Sequence, residues 1–252
     1  MPKLIILGSS NAIASNDSEN THMVLVGQER IVMVDCVNNP IRRLEQADVD
    51  FMDLTDLILT HFHPDHVSGV PILLMDMWLR GRQKPVNIYG LHYTLDRVEQ
   101  LMAMYSWDEW PDFFPVTFHR IPSSENISLL DCDEFHIISS PVRHLIPTIG
   151  LRFEFKKSQK VLAYSCDTEP CAEVVHLASG ADVLIHEASG ASNGHSSAEQ
   201  AGQIAAQAEV GKLYLIHYPT GDFANGDMIA EARRHFQSEV GLAKDFMVLD
   251  FS

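Results

Sequence analysis

Thr60-His61-Phe62-His63-Pro64-Asp65-His66 is the stretch on which the reading of this chain turns. The residues before it, Leu57–Thr60, form a short apolar run expected to be a strand that carries into the cluster. Extended backbone alternates its side chains, so His61 and His63 are expected on one side. Pro64 cannot continue a strand ladder, and a turn there would bring Asp65 and His66 to the same space from another direction. Imidazoles and a carboxylate converging at a strand end suit a borderline cation such as zinc. Four ligand-type side chains within six positions exceed what one tetrahedral ion takes, so two ions are expected. A run of surface histidines is the competing reading, but chance rarely produces this pattern.

Outward from the cluster, the chain reads as α/β. Upstream lie β-rich runs at Lys3–Leu7, Met23–Val26 and Ile31–Asp35, then a helix near Ile41–Gln46. Downstream come a helix over Val70–Leu79, a strand at Val86–Tyr89 and a helix over Thr94–Met104. The middle returns to strands at Thr117–Ile121, Phe135–Ser139, Leu151–Phe155 and Val161–Tyr164. Strands at Asp182–His186 and Leu213–Ile216 then alternate with helices at Ala172–Ala178, Ala198–Ala208 and Met228–Phe236, before a last strand at Phe246–Leu249. Each half mixes strands with closing helices, which suggests two sheets packed face to face with helices outside. No Pro/Gly/Ser-rich linker or charge block divides the chain, so residues 1–252 are read as one domain.

Composition excludes some functions. With 18 Lys+Arg against 34 Asp+Glu, the net charge is −16, and the basic excess behind non-specific nucleic-acid binding is missing. Hydrophobic content of 46% with 21% charged residues describes an ordinary globular chain rather than a disordered one. Cys36, Cys132, Cys166 and Cys171 include no C-x-x-C pair. The N-terminal apolar run is too short for a signal-peptide core, and no stretch is long enough to span a bilayer. A cytoplasmic location without membrane attachment is expected.

The cluster resembles the T-H-x-H-x-D-H signature of the metallo-β-lactamase-fold hydrolases, whose fold is a four-layer αββα sandwich. Their further site residues have counterparts here, in order along the chain. Val142-Arg143-His144 matches the lone downstream His, Ser165-Cys166-Asp167 the bridging Asp, and Ile216-His217-Tyr218 the last His. Asp35 matches their structural Asp upstream of the motif. The resemblance implies one ion on His61, His63 and His144 and another on Asp65, His66 and His217, with Asp167 between them. Zinc is the expected metal, and manganese or iron also suits such ligands. Cys36 and Cys166 are read as small buried thiols. Di-iron oxidoreductases of this fold usually carry Glu where His63 stands. True β-lactamases typically lack His66 and place Cys at Asp167. Both departures favour a two-metal hydrolase.

Which hydrolase is narrowed by His186-Glu187-Ala188 and Gly194-His195-Ser196-Ser197-Ala198-Glu199. Physically, Ser196-x-x-Glu199 reads as a capping box opening an Ala-rich helix. His195 then sits ahead of a positive helix end, beside a Gly/Ser loop whose amides could face an anion. Glu187 is placed to orient His195 and raise its pKa, against the lowering effect of the helix end. The pattern is similar to ribonuclease Z and its phosphodiesterase relatives, where the Glu–His pair acts on the departing group. The segment Leu7–Ile13 through Asn20-Thr21 also resembles their opening. Ribonuclease Z enzymes carry a tRNA-gripping arm between the lone His and the bridging Asp. Here the stretch from His144 to Asp167 holds barely two strands and a turn.

The expectation is therefore two-metal hydrolysis of a small phosphodiester or short RNA, with tRNA and stable nucleic-acid binding disfavoured. Asp65 would orient the attacking water or accept its proton, and His195, backed by Glu187, would act on the leaving oxygen. The alternative is a carboxylic ester hydrolase, a lactonase or thioesterase, on the same two-metal site. A non-catalytic binding module is disfavoured because seven converging polar groups are costly to hold without a metal. The segment Tyr105–Pro115, rich in aromatics, reads as a pocket lid first, or else as a dimer contact or a core anchor. A homodimer is common in the resembled family.

Overall fold

Short strands apolar on both faces need cover on both faces, and the chain supplies it by alternating them with helices. A computed structural model describes residues 2–224 and 226–251. The first half holds β1 (Lys3–Gly8), β2 (His22–Val26), β3 (Ile31–Val34), α1 (Pro40–Gln46), β4 (Asp56–Ile58), α2 (Pro64–Val67), α3 (Val70–Leu79), β5 (Val86–Leu91), α4 (His92–Ala103) and β6 (Val116–Ile121). The second holds β7 (Ile127–Asp131), β8 (Phe135–Val142), β9 (Thr148–Phe155), β10 (Val161–Tyr164), α5 (Ala172–Ala178), β11 (Val183–Glu187), α6 (Ala198–Gln207), β12 (Lys212–Ile216), α7 (Met228–Ala232), β13 (Glu239–Leu242) and β14 (Val248–Asp250).

Two seven-stranded sheets result, ordered β14-β1-β2-β3-β4-β5-β6 and β13-β12-β11-β10-β9-β8-β7. Both use the same ladder. In the first, antiparallel pairing runs from β14 to β3 and parallel pairing from β3 to β6. In the second, antiparallel pairing runs from β7 to β10 and parallel pairing from β10 to β13. One apolar layer, with Leu4, Ile6, Leu25, Phe135, Phe153 and Tyr164, lies between the sheets. A second packs the outer face of the first sheet on α1, α3 and α4, and a third packs the second sheet on α5, α6 and α7. The layers are αββα, as expected.

Three expectations are corrected. The strand before the His cluster stops at Ile58, because the Thr60 amide donates to the Asp35 carboxylate (2.8 Å) instead of a neighbouring strand. Pro64 starts a helical turn, α2, in place of a bare bend. The helix expected to reach Phe236 ends at Ala232. β7 and β13 were not anticipated. Among the described residues, no helix is long and apolar enough to cross a membrane.

Candidate metal centre

The site lies where the strand ladders turn parallel. Carboxyl ends of parallel strands all emerge at one edge, and ligand sites in open α/β sheets form there. Asp35 follows β3, Asp167 follows β10, Glu187 closes β11 and His217 follows β12. Asp35, Cys166 and His217 all have left-handed backbone, with φ of 59°, 54° and 52°. Such conformations cost a non-glycine residue about 1–3 kcal/mol and cluster at functional sites. Here all three stand just beyond strand ends, where the chain leaves the sheet beside the site.

The sequence-predicted residues converge in two triads. His61 Nε2 and His144 Nε2 each lie 3.1 Å from His63 Nδ1. His66 Nε2 and His217 Nε2 lie 3.6 and 3.5 Å from Asp65 Oδ2. Between the triads, Asp167 Oδ2 is 4.0 Å from His61, 4.0 Å from His144, 3.6 Å from His66 and 3.5 Å from His217. Both triads meet the geometric requirement for holding a metal ion.

The hydrogen bonds say which atoms are free to ligate. His144 Nδ1 donates to the Gly194 carbonyl (2.7 Å), an acceptor only, so its Nε2 carries the bare lone pair. His66 Nδ1 donates to Asp35 (2.7 Å) for the same reason. His66 Nε2, His217 Nε2 and Asp167 Oδ1 are buried with no hydrogen-bond partner. Lone pairs that face one another across such gaps repel unless a cation stands between them. A tetrahedral zinc about 2.0–2.1 Å from each nitrogen would set them roughly 3.3 Å apart, close to the spacing in the first triad. The donor set fits two divalent ions.

Electrostatics show neutral imidazoles in the first triad and a demand for positive charge around Asp167. Burial and the neighbouring imidazoles hold His61 well below its ordinary pKa, and burial also lowers His63 and His144, leaving all three neutral. Burial works against charge on His66, but Asp167 and Asp35 on either side override it and raise its pKa. Burial likewise opposes ionisation of Asp167, and His217 and His66 overcome it, holding the carboxyl well below its usual range. Asp65 is lowered in the same way against its burial by His217.

Glu187 and His195 stand beside the triads. His195 Nδ1 donates to Glu187 Oε1 (3.0 Å), and its ring centroid lies 5.0 Å from His144 and 5.9 Å from His217. Burial lowers the His195 pKa, but the Glu187 hydrogen bond and charge outweigh it, and the net shift is upward. Glu187 also accepts from the amides of Thr168, Ser189 and Ser196. The capping box is one residue later than expected: Ser197 and Gln200 form it, while Ser196 donates to the Thr168 carbonyl. Most of the loop's amides do not form the anion cradle that its composition suggested. The amides of Ser189, Gly190, Ser192, Gly194, His195 and Ser196 are all engaged within the protein.

Thr60, Thr168 and Gly194 were missed as supports. The Arg143 amide donates to the Thr168 hydroxyl, which ties His144 to the strand of Asp167. Gly194 has φ +83°, and a Cβ there would meet Leu145 Cγ at 2.9 Å and His144 Nδ1 at 3.0 Å. The signal for Gly194 was present in Gly-His-Ser; Thr168 had none. Cys36 and Cys166 are buried, and burial pushes both thiols up, which suits inert packing. In the aromatic segment, Trp110 stacks on Trp78 (4.8 Å), Trp78 donates to the Pro111 carbonyl, and Trp107, Phe113 and Phe114 join the core over α3 and α4. Those four anchor the core at the end of α3 remote from His66.

Comparison with known proteins adds the relationship. The ribonuclease Z of Methanothermobacter thermautotrophicus is 26% identical over 306 aligned positions, spanning 99% of this chain and 97% of that protein. The metallo-β-lactamase-fold protein YhfI from Bacillus subtilis superposes with a TM-score of 0.83 at 21% identity, covering 98% of both chains. The short form of human tRNase Z superposes with a TM-score of 0.78 at 24% identity, covering 99% of both. The chain is a ribonuclease Z-like, metal-dependent hydrolase of the metallo-β-lactamase fold. Within that fold a family model described as Anti-Pycsar protein Apyc1 matches residues 2–237, almost the whole sequence, and the protein belongs to this family.

Proposed function

We propose that the protein is a two-metal, zinc-dependent phosphodiesterase acting on a small phosphodiester or short RNA rather than on tRNA. The observation that carries this is the convergence of two buried triads on Asp167, with the Glu187–His195 pair beside them. In this reading His61, His63 and His144 hold one ion, Asp65, His66 and His217 hold the other, and Asp167 joins both. Two divalent ions there would activate a water and neutralise phosphoryl oxygens. Asp65 would orient the attacking water or accept its proton. His195, kept protonated by Glu187, donates to the leaving oxygen, and that pair disfavours the carboxylic ester alternative.

The preference for a small substrate is supported by the chain between His144 and Asp167, which is only β9, a turn and β10. The Methanothermobacter alignment runs over 306 positions against 252 residues here, so that relative carries segments this chain lacks. We read residues 1–252 as one working domain. Its four cysteines without disulfides suit the reducing cytoplasm, where cell fractionation should find it. Ile72 and Leu79 on the outward face of the apolar helix α3 favour a homodimer, to be checked as twice the chain mass in light scattering.

The test uses bis(p-nitrophenyl) phosphate and an alkyl phosphodiester with a poor leaving group. His63→Ala should abolish activity on both. His195→Ala should lower the rate about 10²–10⁴-fold on the poor leaving group and much less on p-nitrophenolate. Retained activity in the first variant, or equal losses in the second, would overturn the scheme.

A further inference from the structure

Beneath the two triads, a second layer of buried groups links them. Asp35 and Thr60 are both fully buried. Asp35 Oδ1 accepts from the Thr60 amide (2.8 Å), and Oδ2 accepts from His66 Nδ1 (2.7 Å). The Thr60 hydroxyl lies 2.9 and 2.8 Å from the two carboxylate oxygens and 3.2 Å from His61 Nδ1. Its single proton goes to the carboxylate, which accepts only. The hydroxyl lone pairs then face His61 Nδ1, so that nitrogen carries a hydrogen and His61 Nε2 is left bare toward His63 and Asp167. The other neighbour of His61 Nδ1, Cys166 Sγ, is a weak acceptor at 3.7 Å.

We infer that the Thr60 hydroxyl is a positioning group that ties His61 to Asp35, so that one buried carboxylate anchors a ligand of each proposed ion. His66 is anchored directly and His61 through one hydroxyl. Partners of this kind fix a ligating imidazole's orientation and make it more basic. The inference rests on the two-metal reading above. It adds an asymmetry: removing the hydroxyl releases only the His61 side, whereas removing the Asp35 charge releases both.

Stepwise metal affinities, read by chelator competition with zinc and by cobalt(II) spectra of the full chain, test this without reference to activity. Thr60→Val should weaken one ion roughly 10–100-fold and leave the other within about threefold. Thr60→Ser should bind both ions as wild type does, and Asp35→Asn should weaken both. If valine is not accommodated, Thr60→Ala removes the same hydroxyl with less bulk. Unchanged affinities in the hydroxyl-free variant, equal weakening of both ions, or Thr60→Ser behaving like Thr60→Val would overturn the inference alone. A wild-type protein binding fewer than two ions per chain would overturn the two-metal reading and this inference together.

Discussion

Single atoms set the chemistry at this site, and Glu187 shows how. Four donors converge on its carboxylate, three of them backbone amides of the surrounding loops and the fourth the ring of His195. That charge raises the His195 pKa against burial. A general acid must be protonated, so the rate on a poor leaving group should fall as pH rises through that raised pKa. Glu187→Gln should move this alkaline limb to lower pH, and a limb that stays put would remove His195 from the acid role. Gly194 is the matching backbone case. Its carbonyl holds His144 and its left-handed φ leaves no room for a side chain. Gly194→Ala should lose about 1–3 kcal/mol in urea unfolding and weaken turnover, because His144 and His195 shift together. Wild-type stability in that variant would mean the loop bends freely.

Among the elements, β2 and β11 each bury a histidine that no metal claims. His22 and His186 are enclosed, each donating Nδ1 to a backbone carbonyl and leaving Nε2 without a partner. Burial is the main cause that lowers both pKa values from 6.5 to about 4. The folded state stays neutral where the unfolded chain takes up protons, so stability is complete above about pH 6.5 and is lost as pH falls toward 4. Each residue accounts for about 3 kcal/mol of that loss. In chelator, to remove metal effects, His22→Asn with His186→Asn should flatten the acid limb of the urea-midpoint curve; an unchanged limb would refute the assignment. The elements also show what sequence carries. Inner strands such as β10 and the helix α3 were legible because their own residues are almost all apolar and so mark the segment by themselves. β7 and β13 are edge strands, each paired on one side only, and a neighbour's free ladder places them more than their own pattern does. β4 was overextended because the Thr60 amide bonds to a side chain, Asp35, and periodicity cannot see that.

At the scale of the whole molecule, the nine named site residues could be brought together from a sequence because strand ends of both sheets open on one edge. Their supports, Thr168 and the Thr60 hydroxyl, depend on contacts between distant loops, and no spacing rule reveals those. Charge is the remaining whole-molecule property, and it bears on substrate size. Of the 18 basic residues, Arg30, Arg43, Lys84, Arg120, Arg152, Lys156, Lys212 and Arg234 already face carboxylates. The net −16 therefore leaves little positive surface to track a polyanion. Two bound divalent ions would create positive potential at one sheet edge only, enough to draw in a single phosphodiester. Repulsion of the rest of a long substrate acts over about 30 Å at 0.01 M salt and about 8 Å at 0.15 M. Added salt should then raise kcat/KM for a short RNA a few-fold and leave that for bis(p-nitrophenyl) phosphate nearly flat. A basic nucleic-acid enzyme behaves in the opposite way, because salt competes with its phosphate contacts. An RNA rate that falls steeply with salt would mean that a basic track exists, and the preference for a small substrate would have to be given up.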